Sequence, residues 1–148
     1  MVYGAAMDTF KIRWARQGDG STLHGLIMDL AVYEREPHAV KVTPQRLDEQ
    51  LGLAEPPFEC LLAETGDGTS VGFALFFHTY STWEGVRGIH LEDLFVAASA
   101  RKLGVGRALL ARLARLALER GCARLEWSVL HWNQLALDFY AGLGAETL

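Results

Sequence analysis

The stretch from Ile89 to Leu130 constrains the fold most. Ile89 to Val96 reads as a strand, and a loop of small residues follows it. Gly106 to Arg120 then reads as a helix, with Leu109, Leu113, Leu116 and Ala117 on one face and Gly121 as its stop. Leu125 to Leu130 reads as a second strand. Crossovers of this β-α-β type are right-handed, which makes the two strands parallel neighbours or near neighbours.

The rest of the chain adds antiparallel pieces to that unit. Phe10 to Trp14 alternates apolar and basic residues, the pattern of a half-buried strand. Ser21 or Thr22 can cap a helix carrying Leu23, Leu26, Ile27 and Leu30 at i, i+3, i+4, i+7. Thr43-Pro44 starts a short second helix that stops at Gly52. Cys60 to Ala63 and Val71 to Phe77 flank Gly66-Asp67-Gly68 as a hairpin, its second strand apolar on both faces. Gln134 to Ala141 is a last short helix ending at Gly142. The order β-α-α-β-β-β-α-β-α predicts a mixed α/β fold. Its 148 residues fit one domain over 1–148, with Met1 to Ala6 a possible extension before Met7.

The loop after the first strand of the β-α-β unit carries chemistry. Arg101-Lys102-Leu103-Gly104-Val105-Gly106-Arg107 opens the helix, and two glycines clear the approach of a ligand. The first amides of a helix lack internal partners and sit at the positive end of its dipole. Together these make an anion site, above all for phosphates. The string is neither a P-loop, which needs Gly-Lys-Ser/Thr, nor a dinucleotide loop, whose third glycine is replaced here by Leu109. Taken alone, it also fits a softened turn before an ordinary core helix.

Charge and composition narrow the partners. A net charge of −4 offers no basic footprint for nucleic acid and favours cationic small molecules. The longest strongly apolar run, Val71 to Phe77, is far short of the roughly 20 residues of a membrane helix. No basic region followed by an apolar core marks a signal peptide. Cys60 and Cys122 match no metal spacing and suit a reducing, cytoplasmic compartment as small core residues.

Several strings in order now point one way. They are Leu30-Ala31-Val32-Tyr33-Glu34, Tyr80-Ser81-Thr82-Trp83-Glu84-Gly85, His90-Leu91-Glu92-Asp93-Leu94-Phe95-Val96, the Arg101 to Gly106 loop, Trp132-Asn133-Gln134, Phe139-Tyr140 and Gly142-Leu143-Gly144-Ala145. With these the chain resembles the GNAT superfamily of N-acetyltransferases over nearly its whole length, and within it the diamine (spermidine/spermine) and thialysine branch. The resemblance implies a strongly bent mixed sheet flanked by helices, with acetyl-coenzyme A as co-substrate and no metal. It places the pantetheine arm against main-chain groups near Phe95 and Val96. The pyrophosphate would lie on the amides of Leu103, Gly104, Val105, Gly106 and Arg107, with Arg101 and Lys102 beside it.

The implied reaction is attack of an amine on the acetyl thioester within a ternary complex. An alkyl ammonium titrates near 10.4, so a base must take its proton. Glu92 is the candidate base. Asp93 points to the opposite face of a regular strand, and only a bulge would change which of the two faces the cleft. Tyr140 matches the family tyrosine that protonates the departing thiolate, and Asn133 is both a helix cap and a neighbour of the coenzyme. His131 is read as a loop residue able to touch substrate. His78 and His90 are read as structural.

On the acceptor side, the resemblance assigns Glu34 to the substrate channel. Trp83 has two readings, a channel wall or an exposed loop anchor. Ser81 stands after Thr79-Tyr80, where polyamine-acetylating relatives carry an acid. A lysine-like amino acid or a small diamine is therefore the expected acceptor. Polyamine or peptide N-acetylation is the enzymatic alternative. An acyl-coenzyme A sensor without catalysis is the alternative of another class, and a nucleotide-binding domain a weaker third. Family members continue past Gly-Leu-Gly-Ala into a final strand, often at a homodimer interface. This chain ends at Leu148, so that strand is expected to be missing or its edge covered otherwise.

Overall fold

A computed structural model of the chain describes residues 9–130 and 132–146. His131 and the segment before Thr9 lie outside the described residues, so the readings placed on them have no structural counterpart here. Five strands form one sheet in the order β1-β2-β3-β4-β5. They are β1 (Phe10–Trp14), β2 (Glu59–Thr65), β3 (Ser70–Ser81), β4 (Val86–Val96) and β5 (Leu125–Trp127). The first three pairings are antiparallel, and β4 with β5 is parallel. Four α-helices accompany the sheet: α1 (Gly20–Tyr33), α2 (Pro44–Leu51), α3 (Val105–Glu119) and α4 (Gln134–Gly142).

Two apolar layers hold the sheet between helices. One packs α3, through Leu109, Leu113, Leu116 and Ala117, against Leu61, Ala74, Phe76, Ile89 and Leu91. The other packs Leu23 and Leu26 of α1 and Leu47 of α2 against Leu62, Phe73, Leu75 and Phe95. From Phe73 to Phe76 the residues of β3 alternate between the two layers, which is why that stretch is apolar without interruption. Gly72 is required by this packing. A Cβ there would lie 2.9 Å from the Phe95 carbonyl oxygen and 3.1 Å from Val105.

The structure corrects the start of the first helix. It begins at Gly20 with Asp19 as its N-cap residue, and neither Ser21 nor Thr22 caps it. The Asp19 carboxylate is engaged elsewhere: Arg13 grips both its oxygens at 2.8 Å, and the Arg16 amide donates to it at 2.8 Å. The guanidinium holds this carboxyl below its usual range and ties β1 to α1. Cys60 is a core residue, as expected, whereas Cys122 is only partly buried at the edge of the α3 layer. His78 is not solitary. Arg120 bonds Glu59 through both guanidinium arms and donates to His78 Nε2 at 2.9 Å. Because arginine can only donate, Nε2 accepts, and His78 Nδ1 donates to the Gly88 carbonyl at 3.2 Å.

Candidate active site

The parallel pair is short. Only Ile89↔Leu125, His90↔Glu126 and Leu91↔Trp127 pair, so the strand expected over 125–130 stops at Trp127. The register of β3 against β4 jumps at the same level: Leu75 pairs with Asp93 and Phe76 with Leu91, leaving Glu92 as the extra residue of a bulge. A bulge bends and twists its strand. Past this point β4 and residues 128–130 separate, and a cleft of about 610 Å³ opens between them.

One end of the cleft is built from main-chain donors. Lys102 (φ 77°) and Gly104 (φ 85°) are both left-handed, an arrangement that turns successive amides toward one concavity. The amides of Val105, Gly106 and Arg107 begin α3, whose first internal bond from this turn is Ala108 N–H to the Gly104 carbonyl. A Cβ on Gly104 would meet nothing within 4 Å, so the glycine faces open space. Gly106 instead lies under Phe139, whose ring would be 3.2 Å from an added Cβ. Arg101, Lys102 and Arg107 line this end. The donors suit a diphosphate, and the Val96 and Phe95 backbone beside them suits an extended amide arm. Arg101 Nε meanwhile donates to the Val96 carbonyl at 3.2 Å.

The other end is acidic. Glu34, Glu92 and Asp93 all line the cleft, with Tyr140 among them. Asp93 is largely withdrawn from water, and burial, with Glu92 and Glu34 nearby, pushes its carboxyl up to about 6. Burial also raises Glu34. Burial first, and Glu34 second, push the Tyr140 hydroxyl up to about 12. Tyr140 is fixed against Trp127 and Phe139, with ring centroids 5.0 and 5.4 Å away. Glu92 is the more solvated carboxylate: its side chain is 54% exposed and lies 3.7 Å from His90 Nε2. His90, expected to be structural, thus stands beside the acidic end, its ring against Phe77.

Asn133 is the one buried polar side chain among the described residues, 8% exposed. Its Oδ1 accepts the Ala136 amide at 3.2 Å, capping α4, and the Tyr33 hydroxyl at 2.8 Å. Its NH₂ group has no protein partner among the described residues, and the residue lines the cleft. Tyr33 is a cleft residue that the sequence did not single out. Its bond to Asn133 links segments far apart in the chain, and no local spacing signals it.

The structure therefore brings thirteen candidates together in one cleft. Leu103 lies in the same loop but does not line the cleft, and Phe95, Val96, Arg101, Lys102, Gly104, Val105, Gly106, Arg107, Asn133, Tyr140, Glu34, Glu92 and Asp93 do. Trp83 does not join them. It is 98% exposed at the β3–β4 turn, outside the cleft lining. That position corresponds to the exposed-anchor reading within a single chain.

Comparison with known proteins bears on this geometry. Residues 13–145 match the model of the acetyltransferase (GNAT) family. The chain belongs to the GNAT family of acetyltransferases. It is 39% identical over 145 residues to a thialysine N-epsilon-acetyltransferase of Bos taurus, covering 93% of this chain and 84% of that protein. It is 34% identical to the human spermidine/spermine N(1)-acetyltransferase-like protein 1, over 95% of this chain but 21% of that longer protein. Among solved structures, an integron cassette protein from V. cholerae superposes with a TM-score of 0.77 at 25% identity, covering 94% and 86% of the two chains. A soil-metagenome aminoglycoside acetyltransferase superposes at 0.79 with 18% identity, over 94% and 91%, which shows the shared GNAT fold alone. The mixed α/β fold expected of a GNAT member is the one observed. Among the described residues its sheet ends at β5.

Proposed function

We propose that this GNAT chain transfers an acetyl group from acetyl-coenzyme A to a primary amine of a small cationic acceptor, a lysine-like amino acid such as thialysine or a diamine. One observation carries the reading: a single cleft joins the amides that open α3 to three carboxylates and a protonated tyrosine. A doubly or triply acidic wall suits an ammonium ligand and disfavours an anionic one. The relatives named for thialysine and for spermidine/spermine support the amine class.

The coenzyme supplies the acetyl thioester. Amides 104 to 107 hold its diphosphate, the Leu103 amide being donated to the Ala100 carbonyl at 3.4 Å, while Arg101, Lys102 and Arg107 add charge. Phe95 and Val96 offer main-chain partners to its arm, and Asn133 donates its free NH₂. Asp93, beside Glu92, receives the reacting ammonium, and Glu34 faces the rest of the cationic acceptor. Glu92, solvated at the bulge, takes the first proton, directly or through an ordered water, and leaves a neutral amine. The nitrogen then bonds to the acetyl carbon and the carbon–sulfur bond breaks. Tyr140, kept protonated by burial, passes its proton to the departing sulfur, and the second proton shed by the nitrogen restores it. One proton is released per turnover.

Among the described residues β5 is the outermost strand, and an edge there suits pairing with a second copy, while the two free cysteines suit a reducing cytoplasm. The test is an amine panel with acetyl-coenzyme A, following free thiol and the N-acetylated product together. Equimolar thiol and acetyl-amine with thialysine, lysine or a short diamine is the expected result. Coenzyme binding with no acetylated amine would favour the sensor alternative, and turnover only on peptides would move the acceptor class.

A further inference from the structure

Helix α1 ends in an unusual way. Glu34 is its C-cap, and Arg35 follows with φ 66°, in the left-handed region. The Arg35 amide donates to the Val32 carbonyl at 3.0 Å, and the Glu36 amide to the Ala31 carbonyl at 2.9 Å. This paired closure ordinarily places glycine where Arg35 stands, because a Cβ is strained there. Strain retained at one residue is a reason to ask what its side chain does.

The Arg35 guanidinium lies over the Trp132 ring, its Cζ 4.2 Å from the ring centroid. Trp132 in turn packs on Tyr33 at 6.2 Å and precedes Asn133. Glu34, Tyr33 and Asn133 all line the cleft, and Arg35 and Trp132 are the chain neighbours of Glu34 and Asn133, so their stack flanks the cleft outside its lining. No carboxylate among the described residues pairs with it. The cations that line the cleft, Arg101, Lys102 and Arg107, belong to the coenzyme loop. The rim thus offers adjacent opposite charges: Glu34 inside and Arg35 outside.

We propose that Arg35 is a specificity-determining residue that receives the α-carboxylate of the acceptor, so that the acceptor class is an α-amino acid bearing a distal primary amine. The proposal rests on the amine acetyltransferase reading above. Such an acceptor presents three charges, and the cleft answers each. Its distal ammonium meets Glu92 and Asp93, its α-ammonium meets Glu34, and its carboxylate meets the planar, multi-donor guanidinium, which suits carboxylates. A diamine leaves Arg35 unmatched and brings a second cation toward it.

The experiment compares thialysine with bis(2-aminoethyl) sulfide, the same molecule lacking the carboxylate, in wild type, Arg35→Gln, Arg35→Lys and Arg35→Gly. Wild type is expected to favour thialysine. In Arg35→Gln the thialysine-to-diamine ratio of kcat/KM falls roughly tenfold or more, through the thialysine KM, and Arg35→Lys restores part of it. Arg35→Gly loses the same preference while melting at or above the wild-type temperature, since the strain is gone. Equal falls for both acceptors, or a raised acetyl-coenzyme A KM with unchanged acceptor preference, would overturn the Arg35 assignment alone. A wild type that acetylates neither amine would overturn the acetyltransferase reading, and this assignment with it.

Discussion

The Tyr33 hydroxyl donates to Asn133 Oδ1 at 2.8 Å, joining residues separated by 100 positions in the chain. The bond crosses from the end of α1 to the start of α4, over the gap left where β4 and β5 part. It fixes the Asn133 amide, because the Ala136 N–H can only donate to the same oxygen. The Tyr33 ring also carries the Arg101 guanidinium, 5.3 Å from its centroid. One tyrosine therefore touches the coenzyme loop, the α4 cap and, through the next residue, the acidic wall.

Tyr33→Phe separates those contacts. The ring stays against Arg101 and Trp132, and the hydrogen bond goes. Thermal unfolding should show a loss of about 1 kcal/mol. Coenzyme A titration should show several-fold weaker binding, because Asn133 is no longer held. An unchanged affinity would make the bond purely structural.

Gly104→Ala probes the amide nest. The new Cβ enters open space, so the fold survives, but the left-handed φ of 85° costs about 1 kcal/mol. The methyl group stands where the nest receives its ligand. Coenzyme A affinity should drop roughly tenfold or more, about 1.4 kcal/mol, as read by calorimetry.

Asp93→Asn should stabilise the protein. The folded state raises this carboxyl to about 6, above its ordinary value of 3.8. The folded state therefore binds more protons than the unfolded chain between those values, and wild-type stability falls as pH rises through that window. The variant escapes this loss. After allowance for residual solvent screening, it should gain about 1–2 kcal/mol at pH 8, fading as pH is lowered from 6 toward 4. Denaturant melts at both ends of the range check the sign, and amine turnover should fall in the same variant.

What was legible in the sequence was local. The spacing of Leu109, Leu113, Leu116 and Ala117 gave the buried face of α3, and all four are buried. The two glycines announced an open turn before a helix, and the turn is there. The bulge at Glu92 was not legible, because it is a mismatch between two strands and not a property of one. It places Glu92 and Asp93 on the same cleft, where strict alternation would have divided them. The Asp19 cap was hidden for the same reason: its carboxylate is claimed by Arg13 from a neighbouring strand. Tyr33, Arg35 and Trp132 form a stack only after the chain closes on itself, so the string that holds Tyr33 gave it no role and nothing marked Arg35.

Tyr140→Phe tests proton delivery to sulfur. The ring keeps its contacts with Trp127 and Phe139, so folding and coenzyme affinity should hold within about 0.5 kcal/mol. The turnover number should fall about 10²- to 10⁴-fold.

The most direct measurement is a crystal structure with a bisubstrate analogue in which the acceptor amine is tethered to the coenzyme sulfur. The expected structure has the diphosphate on amides 104 to 107, the sulfur within hydrogen-bonding reach of Tyr140 Oη, and the amine nitrogens facing Glu34, Glu92 and Asp93. A ligand seated elsewhere, with β4 and residues 128–130 drawn together, would contradict it.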